Sequence, residues 1–437
     1  MAILQNVWWL LVLIGVMILI HELGHYWAAR LFDVRVETFS IGFGPRLFGF
    51  KKGDTDFRFS AILFGGYVKM AGDQPGDEAA SDPGSLQSKP RWQRLIVVFA
   101  GPFMNMVLAV AVLAGVYMVH YEKLPSNSSP VIGYVVPDGA AAKAGVHDGD
   151  RIVQIGNTVN PTWEDIAIKE AASAGHALSV WVKRDGQRRR LEVTPVLDQK
   201  SGLGFAGWAE ESQVEIADVV PGMNAEKAGL RKGDLLVSIN GQPVRSTPKL
   251  HDVITHGNGQ AVQIVFLRGG QKHEITVTPA KSNLDGATQW MIGALPQMRT
   301  IVTQLPFPQA VRESVRQNIK GAALFYEVIK GIAERRMSPK SLSGPIGIAQ
   351  ASGEAAREGP TAFFELMAMV STQLATLNLL PVPILDGGVI VLLLMEMFLR
   401  RDLSLQVKET ITKIGFVFLM AVMVFAIYND ISKILPG

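Results

Sequence analysis

The chain has 437 residues and a mean hydropathy of +0.22, which is too apolar for an ordinary soluble enzyme, although its central part is polar. Its net charge is only +3, and no basic stripe with interleaved aromatic residues occurs, so a nucleic-acid partner is excluded. The absence of cysteine excludes disulfides, thiolate zinc sites and iron–sulfur clusters.

Four segments are mostly apolar over about 17–25 residues, the length that crosses a bilayer: the amino-terminal run, Leu95–Val119, Thr361–Leu380 and Ile411–Ile427. We therefore expect a multi-span α-helical membrane protein with four transmembrane helices in the lipid bilayer. The predicted order is transmembrane helix 1 (1–30), a β region and loop (31–94), transmembrane helix 2 (95–119), two copies of one domain (122–198 and 202–285), an amphipathic helical linker (305–355), transmembrane helix 3 with a broken segment (361–399) and transmembrane helix 4 (409–431).

The end of the first apolar run carries a His-Glu-x-x-His motif made of His21, Glu22 and His25. Positions i and i+4 share a helix face, so both imidazoles can reach one tetrahedral zinc, and the glutamate can act as general base toward water. The alternative is a helix end with two interfacial histidines and a snorkelling glutamate. Ionisable groups at membrane depth cost several kcal/mol unless they are paired or liganded, which favours the metal site.

The distribution of lysine and arginine predicts the orientation of the chain. These residues cluster after the first span and before the second and fourth, whereas the amino terminus has none and the far end of span 2 has only Lys123 nearby. Because they concentrate on the cytoplasmic side, both termini and the central region are predicted to be extracytoplasmic. The metal motif then lies toward the cytoplasmic side.

The central region matches itself at an offset of 84 residues, from Gly145 to Gly229 and from Asp150 to Asp234. An ungapped match of this length predicts two copies of a mixed α+β domain of about 80 residues. The pattern Ala-Gly-Leu-x-x-Gly-Asp with a following Ile-Asn-Gly resembles a PDZ domain.

PDZ domains bind an extended peptide or a carboxyl terminus by strand addition, through backbone amides of a glycine-rich loop. Such a loop precedes the second copy as Gly202, Leu203, Gly204 and Phe205, which predicts peptide binding there. The residues before the first copy do not resemble it. For both copies the alternative is a steric plug or spacer whose groove is unused.

A third zinc ligand is needed, because catalytic zinc generally has three protein ligands. Asp386 follows a span that Pro381 and Pro383 interrupt, and Gly387 and Gly388 after it permit close backbone approach. Broken backbone at membrane depth is tolerated where it is buried in protein or lines a cavity. Spacing alone leaves two interpretations open, a zinc ligand or the cap of a short helix at 389–398.

The His-Glu-x-x-His motif in the first span, Asn-x-x-Pro-x-Pro-x-x-Asp-Gly in a late span and the tandem PDZ-like copies between them resemble the site-2 protease family. The nearest group is that of bacterial RseP-like regulator of sigma-E proteases, and the resemblance covers nearly the whole chain. It implies Zn2+ held by His21, His25 and Asp386, with Glu22 as the catalytic acid/base. Many bacterial members have histidine at the position that Val389 occupies here.

The same resemblance implies how substrate is bound. Asn378 would hydrogen-bond the substrate backbone, and the break containing Pro381 and Pro383 would help to hold it. The β region would form a membrane-associated β-hairpin, with Gly65 and Gly66 near the unwound substrate. The alternative for that region is a cytoplasmic β-structure that only packs against the core.

The function expected from this resemblance is zinc-dependent intramembrane proteolysis in the bacterial cytoplasmic (inner) membrane. Its substrates would be transmembrane segments of single-span proteins, such as anti-sigma factors or remnant signal peptides, after a first cut by an upstream site-1-type protease. One alternative is a membrane-anchored PDZ scaffold with an inert metal site. A metal-ion carrier is a third, but it predicts more polar groups in spans 2 and 4, which offer little beyond Asn105.

Overall fold

The computed structural model describes residues 2–72, 82–123, 130–198, 202–284, 287–334 and 344–434. Parts of the predicted loop within 31–94 and of the linker within 305–355 fall on 73–81 and 335–343 and lie outside the described residues. The chain forms two compact units. The first consists of Met1–Tyr121, Gln304–Ile329 and Leu342–Gly437, and the second is mainly Glu122–Thr303.

The chain begins with α1 (Ala2–Leu31), β1 (Val36–Lys52), β2 (Thr55–Met70) and α2 (Arg91–Val119). It continues with β3 (Tyr121–Lys123), β4 (Ile132–Val135), α3 (Ala140–Lys143), β5 (Arg151–Ile155), β6 (Thr158–Val159), α4 (Trp163–Ala171), β7 (Leu178–Arg184), β8 (Gln187–Val193), β9 (Val196–Leu197), β10 (Gly204–Phe205) and β11 (Trp208–Glu210). Then come β12 (Val214–Val219), α5 (Asn224–Lys227), β13 (Leu235–Ile239), β14 (Gln242–Pro243), α6 (Thr247–His256), β15 (Val262–Arg268), β16 (Gln271–Val277), β17 (Ala280–Leu284), β18 (Ala287–Met291), β19 (Ala294–Met298) and β20 (Ile301–Thr303). The last helices are α7 (Phe307–Ala333), α8 (Pro345–Glu358), α9 (Pro360–Asn378), α10 (Asp386–Leu399) and α11 (Leu405–Ile434).

Three of the described helices are long and apolar enough to cross a membrane, over Ile3–Leu31, Arg91–Val119 and Gln406–Ser432. They coincide with three of the four predicted spans. The remaining predicted span is divided into α9 and α10, because the chain between Asn378 and Asp386 leaves the helical path at its two prolines. The protein is thus a membrane protein of mixed α and β structure.

The β region is a hairpin of β1 and β2 that turns at Gly53 and Asp54 and folds back on itself. Residues 46–52 pair with 55–60 across this turn, and residues 38–41 pair with both 56–59 and 66–69. Its base is anchored on α1 through edge-to-face contacts of Tyr26 with Phe39 and Phe57. The hydroxyls of Ser40 and Ser60 hydrogen-bond each other across the strands at 2.8 Å. The contacts of Tyr26 hold the hairpin against the helix that carries the histidine motif.

The second unit contains two halves, Ile132–Glu210 and Val214–Met298. The first half has a sheet of order β6-β5-β7-β8, and the second has β16-β15-β13-β12-β19 with β14 beside β13. In each half a late strand returns to the first strand, since β11 pairs with β4 and β19 pairs with β12. The predicted boundary between 198 and 202 is therefore too early, because the first half extends to Glu210.

The cores of the two halves use positions separated by the same 84 residues. Matched buried pairs include Ile132 with Ile216, Ile155 with Ile239, Val180 with Ile264 and Val182 with Phe266. The segments that match in sequence therefore place equivalent side chains in equivalent cores.

A buried ion pair recurs at the same offset. Asp150 is fully buried and accepts two hydrogen bonds of 2.6 Å from Arg184, which also donates to the carbonyl of Gly145 at 2.7 Å. Asp234 and Arg268 repeat this geometry with two bonds of 2.7 Å. Hydrogen bonding to the carboxylate of Asp150 raises the pKa of Arg184, so the guanidinium stays charged. The pair joins the Gly-Asp turn to the sheet in each half.

Candidate metal centre

Three predicted ligands converge although they are far apart in the sequence. His21 and His25 lie one turn apart on α1, with their Nε2 atoms 3.2 Å from each other. Asp386, in the first turn of α10, places Oδ2 3.2 Å from Nε2 of His21 and Oδ1 3.6 Å from Nε2 of His25. Among the described residues this is the one group of three or more His, Cys, Asp or Glu side chains arranged to hold a metal ion.

The donor atoms fit a zinc ion. Zinc binds His nitrogen and carboxylate oxygen at about 2.0–2.2 Å, so tetrahedral ligand atoms lie roughly 3.3 Å apart. The three separations here are 3.2, 3.2 and 3.6 Å. Two histidines and one carboxylate leave the fourth position open, as in catalytic rather than structural zinc sites.

Asp386 is positioned by the break that precedes it. A Cβ at Gly387 would lie 2.3 Å from the carbonyl oxygen of Leu380, and one at Gly388 would lie 2.3 Å from that of Val382. Only glycine therefore lets the first turn of α10 pack against the loop after α9. Leu385, not Asp386, is the N-cap residue of α10, and no side-chain cap hydrogen bond is formed, so the capping interpretation of Asp386 finds no support.

The crossing of α1 and α2 brings backbone close to the histidines. A Cβ at Gly24 would lie 2.3 Å from the carbonyl oxygen of Ala100, and one at Gly101 would lie 2.3 Å from Nε2 of His25. Small residues let transmembrane helices approach closely. Gly101 thus leaves the space that the His25 ring occupies.

We expect Gly101→Ala to weaken Zn2+ binding about tenfold or more, a size typical of displaced metal-site geometry. The added methyl group would overlap the His25 ring and push it from its place. Gly115→Ala is the matched control on the same helix, since a Cβ there meets nothing within 4 Å. Zinc competition with a chromophoric chelator, on detergent-solubilised full chain, measures both. Equal affinities of the two variants would contradict this assignment of Gly101.

Glu22 lies beside the cluster and contacts the β-hairpin. The backbone amide of Val68 in β2 lies close to its carboxylate. A Cβ at Gly66 would lie 2.7 Å from Cγ2 of Ile18 and 3.3 Å from Cγ of Glu22. Gly65 has φ +126° and packs against the ring of Phe43. The two glycines let β2 lie directly on α1, and their predicted contact with substrate stays a prediction.

The remaining predicted substrate residues lie close to Asp386 in the sequence. Asn378 is the last residue of α9 and is partly exposed, Pro381 is exposed, and Pro383 is partly buried. Pro383 packs on α11, where a Cβ at Gly415 would lie 2.3 Å from its carbonyl oxygen. The substrate-binding role of these three residues stays a prediction.

The glycine-rich loop belongs to the first half, not to the second as predicted. Gly204 and Phe205 pair with β9, and the next residues enter the first core through Ala206 and Trp208. The backbone amide of Ala206 donates to one oxygen of Glu170 at 2.6 Å, and Nε1 of Trp208 donates to the other at 2.8 Å. The sequence order alone suggested the wrong neighbour, because this strand returns to a half that precedes it. Gly202 and Leu203 lie in the same returning segment.

Helix α2 contacts both histidines, which the sequence motifs alone do not predict. The carbonyl of Val97 lies 2.8 Å from Nδ1 of His25, and the amide of Asn105 lies 3.3 Å from Nδ1 of His21. In the sequence, these contacts could have been found from the spacing of Val97, Gly101 and Asn105, because residues four apart lie on one face of a helix.

Comparison with known proteins agrees with this geometry. The family model described as "Peptidase family M50" matches residues 9–422 of this chain. The chain is 28% identical to "Regulator of sigma-E protease RseP" of Salmonella typhimurium (strain 14028s / SGSC 2262), over 99% of this chain and 100% of the relative. It is 29% identical to a "Putative zinc metalloprotease" of Treponema pallidum (strain Nichols), over 96% of this chain and 97% of the relative. A Xylella fastidiosa (strain Temecula1 / ATCC 700964) protein of the same name is 30% identical, over 98% and 99%.

These matches run through the His-Glu-x-x-His helix, the central halves and the broken segment before Asp386 alike. The chain therefore belongs to peptidase family M50, the site-2 protease family, and is a zinc-dependent metalloendopeptidase of the membrane.

Proposed function

We propose that this metalloendopeptidase cleaves transmembrane segments of single-span membrane proteins. The observation that carries the proposal is the convergence of His21, His25 and Asp386 on α1, a helix that is apolar enough to span a membrane over Ile3–Leu31. A hydrolytic site on such a helix acts on peptide bonds that soluble proteases do not reach.

In the proposed mechanism His21, His25 and Asp386 hold the zinc, and Glu22 handles the proton. Zinc, when bound, polarises the scissile carbonyl and acidifies water. Glu22 takes the proton from the attacking water and returns it to the leaving amine. The backbone amide of Val68 lies beside the Glu22 carboxylate, which puts β2 next to the group that moves the proton.

The substrate must be extended where it is cut, because peptide bonds inside a helix are engaged in its hydrogen bonds. We propose that the hairpin around Gly65 and Gly66 and the loop from Asn378 through Pro383 hold the unwound segment. Support comes from Val68, which connects β2 to Glu22, and from the loop, which leads directly into Asp386. Among the described strand pairs, Gly66 and Tyr67 of β2 pair on one side only, with Ile41 and Ser40 of β1, so strand addition at the other side of this segment is open to a substrate.

The two halves of the central unit are proposed to be PDZ domains that restrict which substrates are cut. In the first half Glu170 already engages the amide of Ala206, and burial raises the pKa of this carboxyl. This contact supports a role in steric exclusion for the first half, rather than capture of a peptide carboxyl terminus. Peptide binding by the loop from Gly202 to Phe205 is thereby less favoured than the sequence suggested.

We propose that the protein lies in the bacterial cytoplasmic (inner) membrane. Support comes from its three helices that are long and apolar enough to cross a membrane and from a relative named as a regulator of sigma-E protease. We propose four spans, with both termini and the central unit extracytoplasmic and the metal centre toward the cytoplasmic side. Anti-sigma-factor-like proteins and remnant signal peptides are the proposed substrates, after a first cut by a site-1-type protease.

Replacing Glu22 by glutamine tests the proposal, because it removes the proton acceptor and keeps the side-chain size. Cleavage of a panel of single-span reporters in detergent should fall at least about 100-fold, the contribution typical of general acid–base catalysis, while bound zinc is retained. Glu354→Gln, at an exposed position of α8, is the control and should cleave normally. Undiminished cleavage by Glu22→Gln would contradict the mechanism, and no cleavage by the wild type would favour a scaffold with an inert metal site.

A further inference from the structure

Helix α2 faces both histidines with one stripe of residues. Val97, Gly101 and Asn105 are spaced by four and lie along one face. The order of contacts is reversed along the two helices, since Val97 contacts His25 and Asn105 contacts His21. Gly101 lies between them, against both rings. Each imidazole therefore has a partner on α2 for the nitrogen that points away from the metal centre.

For His25 this partner fixes the position of the ring proton. The backbone carbonyl of Val97 can only accept, so Nδ1 of His25 carries the proton and donates at 2.8 Å. The Nε2 lone pair of His25 is then free on the side of His21 and Asp386. This is the tautomer that a zinc ligand needs.

For His21 the partner is an amide that can face either way. Asn105 is fully buried, its Nδ2 lies 3.3 Å from Nδ1 of His21, and its Oδ1 has no hydrogen-bond partner among the described residues. With Nδ2 as donor, Nδ1 of His21 would have to accept, and the proton would sit on Nε2, where the metal binds. A half-turn of the amide is nearly isosteric and offers the unpartnered oxygen to Nδ1 instead.

We propose that Asn105 is a positioning residue that accepts a hydrogen bond from Nδ1 of His21 through Oδ1 in the zinc-loaded protein. This contact holds the His21 tautomer whose Nε2 lone pair faces the metal, as Val97 does for His25. The hydroxyl of Ser371 donates to the backbone carbonyl of Asn105 at 2.9 Å and ties this point of α2 to α9. The inference rests on the proposed assignment of His21 as a ligand.

Two substitutions separate this role from packing. Asn105→Leu removes the acceptor and keeps a similar volume, whereas Asn105→Asp keeps an acceptor and adds a charge. We expect the leucine variant to bind zinc about 10–100-fold more weakly, the usual loss for an outer-shell partner of a ligand, and the aspartate variant to bind at least as tightly as wild type. Packing alone predicts the reverse order, because leucine suits an apolar helix interface better than aspartate does.

The measurement is zinc competition with a chromophoric chelator, on the detergent-solubilised full chain, without any assay of cleavage. Size-exclusion profiles identify variants that fold, and Asn105→Ala replaces the leucine variant if that one aggregates. Gly115→Ala, on the same helix, is the control, since a Cβ there meets nothing within 4 Å, and it should keep wild-type affinity. The proposal would be overturned if Asn105→Leu bound zinc as tightly as wild type, or if Asn105→Asp bound zinc as weakly as Asn105→Leu.

The same titration distinguishes failure of this inference from failure of the proposed function. If Asp386→Asn loses zinc and Asn105→Leu does not, the metal centre stands and the role of Asn105 is wrong. If the wild-type chain binds no zinc, or if Asp386→Asn binds as well as wild type, both assignments fail together.

Discussion

Asp386→Asn should lose zinc and proteolysis together. Asparagine preserves the shape of the side chain but removes the negative charge, which leaves His21 and His25 as the two strong ligands, where catalytic zinc generally needs three. We expect zinc affinity to fall by more than about 100-fold, beyond the loss that an outer-shell partner causes. Cleavage of a reporter should fall to background, and added zinc should restore part of it.

The matched control is Asp402→Asn. Asp402 lies between α10 and α11, is exposed, and pairs with Arg91 and Arg94. Exposed ion pairs contribute only about 0–1 kcal/mol, so this variant should keep its zinc and its activity. Wild-type zinc affinity in Asp386→Asn would show that the three-residue cluster is not the metal centre, whatever the activity of that variant.

Asp150→Asn should destabilise the first half of the central unit by about 3–5 kcal/mol, the cost of removing one partner of a buried ion pair. The carboxylate of Asp150 is fully buried, and Arg184 beside it is largely covered. The asparagine would leave the guanidinium without its counter-charge. Hydrogen exchange of the full chain, followed by mass spectrometry of peptides from β5 and β7, measures the loss of protection.

Asp185→Asn is the control for that experiment. Asp185 follows Arg184 in the chain and is exposed. It lies in a turn with φ +50°, a conformation that asparagine adopts readily. Its exchange should match wild type. Unchanged protection in Asp150→Asn would mean that the recurrent Asp–Arg pair does not stabilise the fold, and that its recurrence at Asp234 needs another reason.

Residue chemistry predicts part of the metal centre, and the resemblance to site-2 proteases adds Asp386, but neither predicts how the chain brings the three residues together. The motif in α1 defines two ligands by helical spacing alone. Asp386 stood out because prolines and glycines surround an acid near membrane depth, yet spacing could not decide between a ligand and a cap. Only the path of the chain from α9 into α10 brings that carboxylate to the histidines.

The residues of α2 that contact the histidines could not be predicted from the sequence for a different reason. Gly24 and Gly101 matter because two helices cross there, and the sequence of either helix does not contain the crossing point. Asn105 was visible as an isolated polar residue in a span, but its distance to His21 depends on that same crossing.

The central unit shows how a sequence pattern can lead to a wrong boundary. The 84-residue offset identified equivalent positions such as Ile132 and Ile216. Strand pairing is non-local, however, and β11 returns to β4 after the predicted end of the first domain. The loop at Gly202 therefore belongs to the first half, whereas its place in the sequence predicts the second.

The position of the cut in a substrate decides whether this protein hydrolyses peptide bonds within a membrane span. Mass spectrometry of the products of a single-span reporter, incubated with wild type and with Glu22→Gln, locates the hydrolysed bond. We expect a cut inside the apolar segment of the reporter, present with wild type and absent with Glu22→Gln. Cleavage confined to the polar flanks of the span, or cleavage that persists in Glu22→Gln, would contradict this expectation.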